Sequence, residues 1–315
     1  MAREGVESPL KLNRILEKIR KNKNWNVDNI RDPEVAWNLC CARLALGELS
    51  WEGWGHRIPR DGIFPFDFPW YNDEPVNKLL ILSEQGLGDE ILFASCFKDV
   101  KAREVTVECD ARLKPVFERS FPHIEFICRK HIKDKPDWEL DNRWAIGRSW
   151  DAMVLAGELP TWYRRKLSDF PQEPYLKAEE NDLTDMYVGR IGVSWRGRQG
   201  GYPVKKFKDH VPDGLSLQYG ENSLSEVPEV DLTYDIDGVF SVVAGLNKVV
   251  SVPTSIVHIA GSLGIPTDVI LPPKGYKHGG FDETVNNCLN WRWRKDFPWH
   301  PSVRVFENWE EYESD

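Results

Sequence analysis

Hydrophobic positions along this chain change their spacing several times, and the changes mark its elements. Over residues 9–22, Leu12, Ile15, Leu16 and Ile19 recur at a helical interval, with Lys and Arg crowded at the end that a helix dipole favours. Asp32 and Pro33 then supply a cap and a first-turn proline. The run from Val35 through Leu46 predicts a helix that stops at Gly47. A second helix is expected to carry Leu49, Trp51 and Trp54. Residues 58–76 are rich in proline and aromatics (Pro59, Pro65, Pro69, Trp70, Tyr71, Pro75) and read as an extended linker.

From residue 78 the spacing switches to short apolar runs alternating with helical stretches. Lys78-Leu79-Leu80-Ile81-Leu82 has the composition of a buried strand, and Ile91-Leu92-Phe93-Ala94 suits a helix. Glu104 to Cys109 alternates as a strand, residues 113–119 read as a helix, and Ile124 to Ile127 as a third strand. Residues 129–143 are charged and irregular, and 144–157 read as a helix ending at Gly157. Residues 158–182, with Pro160, Pro171 and Pro174, read as an interdomain connection. A second alternating half follows. Its strands are Arg190–Trp195, Leu215–Gln218, Lys248–Val252 and Thr267–Leu271. Its helices are Val239–Leu246 and one capped by Thr254 and Ser255 and closed by Gly264. The tail holds Trp291-Arg292-Trp293-Arg294 and Phe297-Pro298-Trp299-His300-Pro301, then a short acidic helix. Strand–helix alternation on this scale predicts an α/β fold of two Rossmann-like halves with parallel sheets, facing each other across a cleft.

Composition narrows the function. A chain of 315 residues with 41% hydrophobic and 29% charged residues has room for two cores. Its net charge of -9 argues against general nucleic-acid binding, which rests on neutralising phosphates. No apolar segment follows Met1 and no run is long enough to span a bilayer, so a cytoplasmic location is expected. The six cysteines (Cys40, Cys41, Cys96, Cys109, Cys128 and Cys288) form no C-x-x-C pair, which suggests buried thiols in a reducing compartment. Neither Cys nor His spacing fits structural zinc. The fourteen tryptophans are scattered and read as packing and cleft walls.

The stretch with most chemistry is Ser83-Glu84-Gln85-Gly86-Leu87-Gly88-Asp89-Glu90. A strand turning into a helix over Gly86 and Gly88 presents bare N–H groups at a positive helix end, where an anion or polar ligand edge is favoured. Such a turn also occurs without a ligand, and Asp89 in the first helical turn also serves as a plain dipole partner. Gly86-Leu87-Gly88 with Glu108 some twenty residues on resembles part of a dinucleotide fingerprint. Ile91 at the third small position and Asp89 near the pyrophosphate both oppose it.

Several spans together resemble one family. Leu82 to Asp89 resembles the glycine turn of heptosyltransferase-like glycosyltransferases, especially those fused to tetratricopeptide repeats. Pro174-Tyr175-Leu176 resembles their linker, Ile191 to Gly197 the first strand of their second domain, and Ser216 to Gly220 a following strand. Ser251 to Gly264 resembles their nucleotide-sugar segment, and Trp291-Arg292-Trp293 with Pro298-Trp299-His300-Pro301 their C-terminal block. The Trp37-Asn38-Leu39 helix, Leu46-Gly47 and Trp54 resemble one tetratricopeptide unit, which must pack on the next domain or on a partner protein.

The resemblance implies a GT-B architecture. Residues 1–60 would be a tetratricopeptide-like helical extension, 61–180 an acceptor domain and 181–315 a nucleotide-sugar domain. It implies a nucleotide-diphosphate-sugar donor, a hydroxyl acceptor on a glycan or protein, inverting transfer, and no metal or other cofactor. Asp89 would be the catalytic base. Gly86, Gly88, Arg196, Arg198, Gln218, Thr254, Ser255 and His258 would bind substrate, and Lys205 and Lys206 fall near a basic position of the family. One departure stands out: where the family usually has Asp, this chain has Pro253, which lacks both a carboxylate and an N–H. Loss of catalysis, with the fold kept as a binding or scaffold module, is the rival expectation.

Overall fold

The computed structural model describes residues 33–45, 47–57, 68–83, 86–128, 145–197, 200–219, 226–272, 293–296 and 299–315. The helix expected over 9–22, Glu84 and Gln85, Arg198, Cys288 and Trp291 lie outside the described residues.

Among the described residues of the N-terminal part, α1 (Pro33–Ala45) is followed by a 3-10 turn, Trp54–Arg57, where the second helix was expected. Gly47 and Gly53 adopt φ of 95° and 98°, which a continuing right-handed helix does not allow. The tryptophans between them are held by tertiary contacts. The Trp51 indole N–H donates to the Arg164 carbonyl at 3.0 Å. Trp51 and Trp54 also pack edge-on against Phe93. The apolar face of this segment is therefore covered within the chain.

The first sheet follows. Its elements are β1 (Val76–Leu82), α2 (Leu87–Ala94), β2 (Ala102–Cys109), α3 (Lys114–Ser120), β3 (Glu125–Cys128) and β4 (Ala152–Leu155). Strand order is β3-β2-β1-β4, and all pairings are parallel. The helix expected over 144–157 is corrected here. Ala152-Met153-Val154-Leu155 is a strand, registered against Leu79 to Leu82 and buried throughout. Ala, Met and Leu favour helices in isolation, but the open edge of β1 offers a ladder of backbone partners, and pairing overrides propensity.

Two short helices, α4 (Pro160–Tyr163) and α5 (Asp182–Met186), lie along the connection to the second sheet. That part comprises β5 (Ile191–Ser194), a hairpin of β6 (Arg196–Gly197) and β7 (Gly200–Gly201), α6 (Val204–His210), β8 (Leu215–Ser216) and α7 (Ile236–Gly245). It continues with β9 (Lys248–Ser251), α8 (Ser255–Leu263), β10 (Thr267–Ile270), β11 (Val303–Phe306) and α9 (Trp309–Ser314). The order β11-β10-β9-β5-β8 is again parallel. The sequence reading did not include β11. The fold is thus mixed α/β built on two parallel sheets, whose central strands are apolar because both faces are covered.

The two sheet units share one continuous apolar core. α2 packs on α8. Tyr175 and Leu176 donate their N–H groups to the Ser262 carbonyl, and the Tyr175 hydroxyl donates to the Ile91 carbonyl at 3.0 Å, so the connection bonds to both units. Trp299 lies edge-on to Trp51, Phe93 and Phe170. Farther along the contact, Arg119 of α3 binds both carboxylate oxygens of Asp237 on α7, and Arg112 donates to the Thr233 carbonyl. Where α2 meets α8, the two halves are closed on one another. No helix among the described residues is long and apolar enough to cross a membrane.

Candidate functional site

β1 runs out at Leu82 and α2 begins with Gly86 as its N-cap, in extended geometry and with no side chain of its own to cap the helix. The Asp89 carboxylate folds back over this turn, its Oδ2 lying 3.4 Å from where a side-chain carbon on Gly86 would stand. The two acidic groups of the first turn, Asp89 and Glu90, differ in setting. Glu90 is buried and accepts the Asp110 N–H at 2.9 Å, whereas Asp89 is half-buried at the mouth of the turn. Glu108, the acid of the dinucleotide reading, is buried beside the Ser83 hydroxyl.

In the second unit β9 leads into α8 in the same way. Thr254 is the N-cap by backbone, with φ -147° and ψ 171°, but its hydroxyl does not cap the helix. It is bonded instead to the Ser251 hydroxyl at 3.2 Å. This corrects the expectation of a side-chain cap: neither the Thr254 hydroxyl on α8 nor the N-cap Gly86 on α2 supplies one. Gly264, with φ 79°, closes the helix.

The two helix starts meet. A side-chain carbon on Gly88 would stand 2.8 Å from Cδ2 of His258 and 3.6 Å from the Ser255 Cα, so only glycine permits this approach. Two positive helix ends side by side repel one another, and a negative charge between them relieves that repulsion. The β6–β7 hairpin adds a third edge. A side-chain carbon on Gly197 would overlap the Pro253 carbonyl and stand 3.1 Å from Cγ2 of Thr254, which seats Arg196–Gly197 directly against the start of α8. Arg196 itself is exposed.

No family model matches the chain. Protein FlbA of Caulobacter vibrioides is 24% identical, over 84% of this chain and 50% of that protein. The chain therefore spans about half the length of the curated relative it matches. Among solved structures, a glycosyl transferase family 9 protein of Veillonella parvula superposes with a TM-score of 0.48 at 11% identity, covering 77% of this chain and 89% of that one. ADP-heptose LPS heptosyltransferase II of E. coli gives 0.45 at 13%, covering 73% and 90%.

The remaining candidates divide by surroundings. His258 is buried, with Nδ1 3.3 Å from Nε2 of His300, its ring against Trp293 and its opposite edge on Gly88. His300 is fully buried between His258, Tyr175 and Gly261. Burial, with a smaller contribution from His258, holds its pKa well below the usual histidine range. Gln218, expected as a nucleotide contact, points inward instead and is buried. Its Oε1 accepts from the Ser194 hydroxyl and from the N–H groups of Trp195 and Arg196. Trp195, Trp293 and Trp299 are buried as packing residues.

Sequence reasoning read Trp293 as packing but gave no role to His300, although it lies in a quoted motif. No local pattern brings a tail histidine beside a helix residue more than forty positions earlier.

Proposed function

We propose that the protein transfers a sugar from a nucleotide-diphosphate sugar to a hydroxyl acceptor, in a GT-B arrangement with an acceptor unit at 61–180 and a donor unit at 181–315. The observation that carries this is the convergence of the starts of α2 and α8 at Gly88, with the Arg196 hairpin seated beside them. A diphosphate at that point would accept hydrogen bonds from the Thr254–Ser255 terminus and neutralise the two helix ends. Arg196 would balance the charge that grows on it as it leaves.

Asp89 sits in the first turn of the opposing helix. In the proposed step its carboxylate takes the acceptor's hydroxyl proton as that oxygen bonds to the anomeric carbon. The bond from that carbon to the diphosphate breaks, and its electron pair leaves with the nucleoside diphosphate. Attack opposite the leaving group inverts the anomeric configuration. Gly86 and Gly88 keep the approach free of side chains. His258 forms a wall of the site, and Ser255 adds a hydroxyl at the helix start. No metal enters the scheme. The described free thiols accord with a reducing, cytoplasmic setting.

Pro253 favours a second reading, a donor-binding protein without turnover, because it removes a carboxylate and an N–H beside Thr254. One experiment separates the two: calorimetric titration with a panel of nucleotide sugars, followed by product analysis with candidate acceptors, for the native chain and Asp89→Asn. Transfer is expected to fall by at least about a hundredfold in the variant with donor affinity kept. Binding without turnover supports the second reading. No binding to any donor refutes both.

A further inference from the structure

We propose that Gln218 is the positioning residue of the β6–β7 hairpin, holding Arg196 at the start of α8. The proposal rests on the reading of that helix start as a diphosphate site. The hairpin begins where β5 leaves the sheet at Ser194. The last sheet-type bonds there are Leu217 N–H to the Val193 carbonyl and Val252 N–H to the Ser194 carbonyl. Just beyond them Oε1 of Gln218 accepts the N–H groups of both Trp195 and Arg196, at 3.2 and 2.9 Å, together with the Ser194 hydroxyl at 3.2 Å.

Two backbone donors on one atom settle which end of the amide faces them: only the oxygen can. Nε2 then faces the other way and donates to the Tyr219 carbonyl at 3.3 Å. The acceptor oxygen, at this length from the backbone, is what holds the hairpin, and the amide donor serves Tyr219 alone. Leu would remove the acceptor that both N–H groups share, and Asn would fall one methylene short. Further out, the Tyr202 N–H closes the hairpin on the Trp195 carbonyl at 2.9 Å, and Gly197 rests on Pro253 and Thr254. Gln218 fixes the root, and contact with the α8 turn fixes the side. Gln218 itself is buried beneath the hairpin and acts on a ligand only through Arg196.

The test uses the full chain, with ADP, UDP and GDP as probes in calorimetry and amide hydrogen exchange read at Trp195 and Arg196. Q218L is expected to weaken the best-bound diphosphate about tenfold, as R196A does, and the double variant to bind no more weakly than R196A alone. Exchange at the two amides should rise in Q218L while β9 amides stay protected. Q218E, which keeps the acceptor, should leave both amides slow even if Q218L folds poorly. Native-like affinity in Q218L, or losses that multiply in the double variant, overturns the positioning role. If none of the three probes binds the native chain, the diphosphate reading fails and the positioning proposal falls with it. Exchange at Trp195 and Arg196 that is unchanged in Q218L instead refutes the anchoring by itself.

Discussion

Replacing Gly88 with Ala tests the contact on which the site is built. Position 88 is the second residue of α2, so Ala should raise helix propensity by roughly 0.5–1 kcal/mol over Gly. Against that, the new carbon would stand 2.8 Å from Cδ2 of His258, about 1 Å inside ordinary carbon–carbon contact. His258 has no easy retreat, because its ring lies against Trp293 and its Nδ1 is bonded to His300. Overpacking of this kind costs about 1–3 kcal/mol, so the steric cost wins and Gly88→Ala should destabilise by about 1 kcal/mol net. For a chain of this size that is a fall in Tm of roughly 1–2 °C. Thermal unfolding by circular dichroism reads it directly. The cycle with His258→Ala isolates the cause: with the ring gone, Gly88→Ala should become neutral or stabilising by up to about 1 kcal/mol. A gain in Tm in the native background, or an unchanged cost without His258, would refute the claim that α2 and α8 meet through this pair.

Three further outcomes follow from other parts of the molecule. Stability should fall with acidification below about pH 6.5, because His300 binds its proton in the unfolded chain and resists it in the folded one; the fall is up to about 1.4 kcal/mol per pH unit. Urea titrations between pH 7.5 and 5 check this, and His300→Gln should flatten the slope. Trp51→Ala should cost about 3–5 kcal/mol, as expected of a large side chain buried between units, whereas Tyr234→Ala at an exposed position should stay within about 0.5 kcal/mol. Burial raises the thiol of Cys40 and pushes Cys96 up to about 12, so both should react with Ellman's reagent only after denaturation; fast native labelling would contradict their placement.

The sequence by itself determined the elements that local chemistry specifies. Leu79 to Leu82 and Val249 to Val250 are runs apolar enough to be buried on both faces, and Gly264 stops a helix wherever that helix packs. The two alternating strand–helix halves were legible for the same reason: period and punctuation are properties of neighbouring residues. Tertiary structure decided what depends on distant partners. Residues 152–155 have helix-forming composition and became a strand because β1 had an open edge. Trp51 and Trp54 had the spacing of a helix and were taken instead by Phe93, Trp299 and the Arg164 carbonyl. Gln218 carries the same amide whether it faces a ligand or the chain, and only the two N–H groups of Trp195 and Arg196 turned it inward. The meeting of Gly88 with His258 joins residues 170 positions apart, which no local pattern encodes, because burial and close packing are settled by the whole core at once.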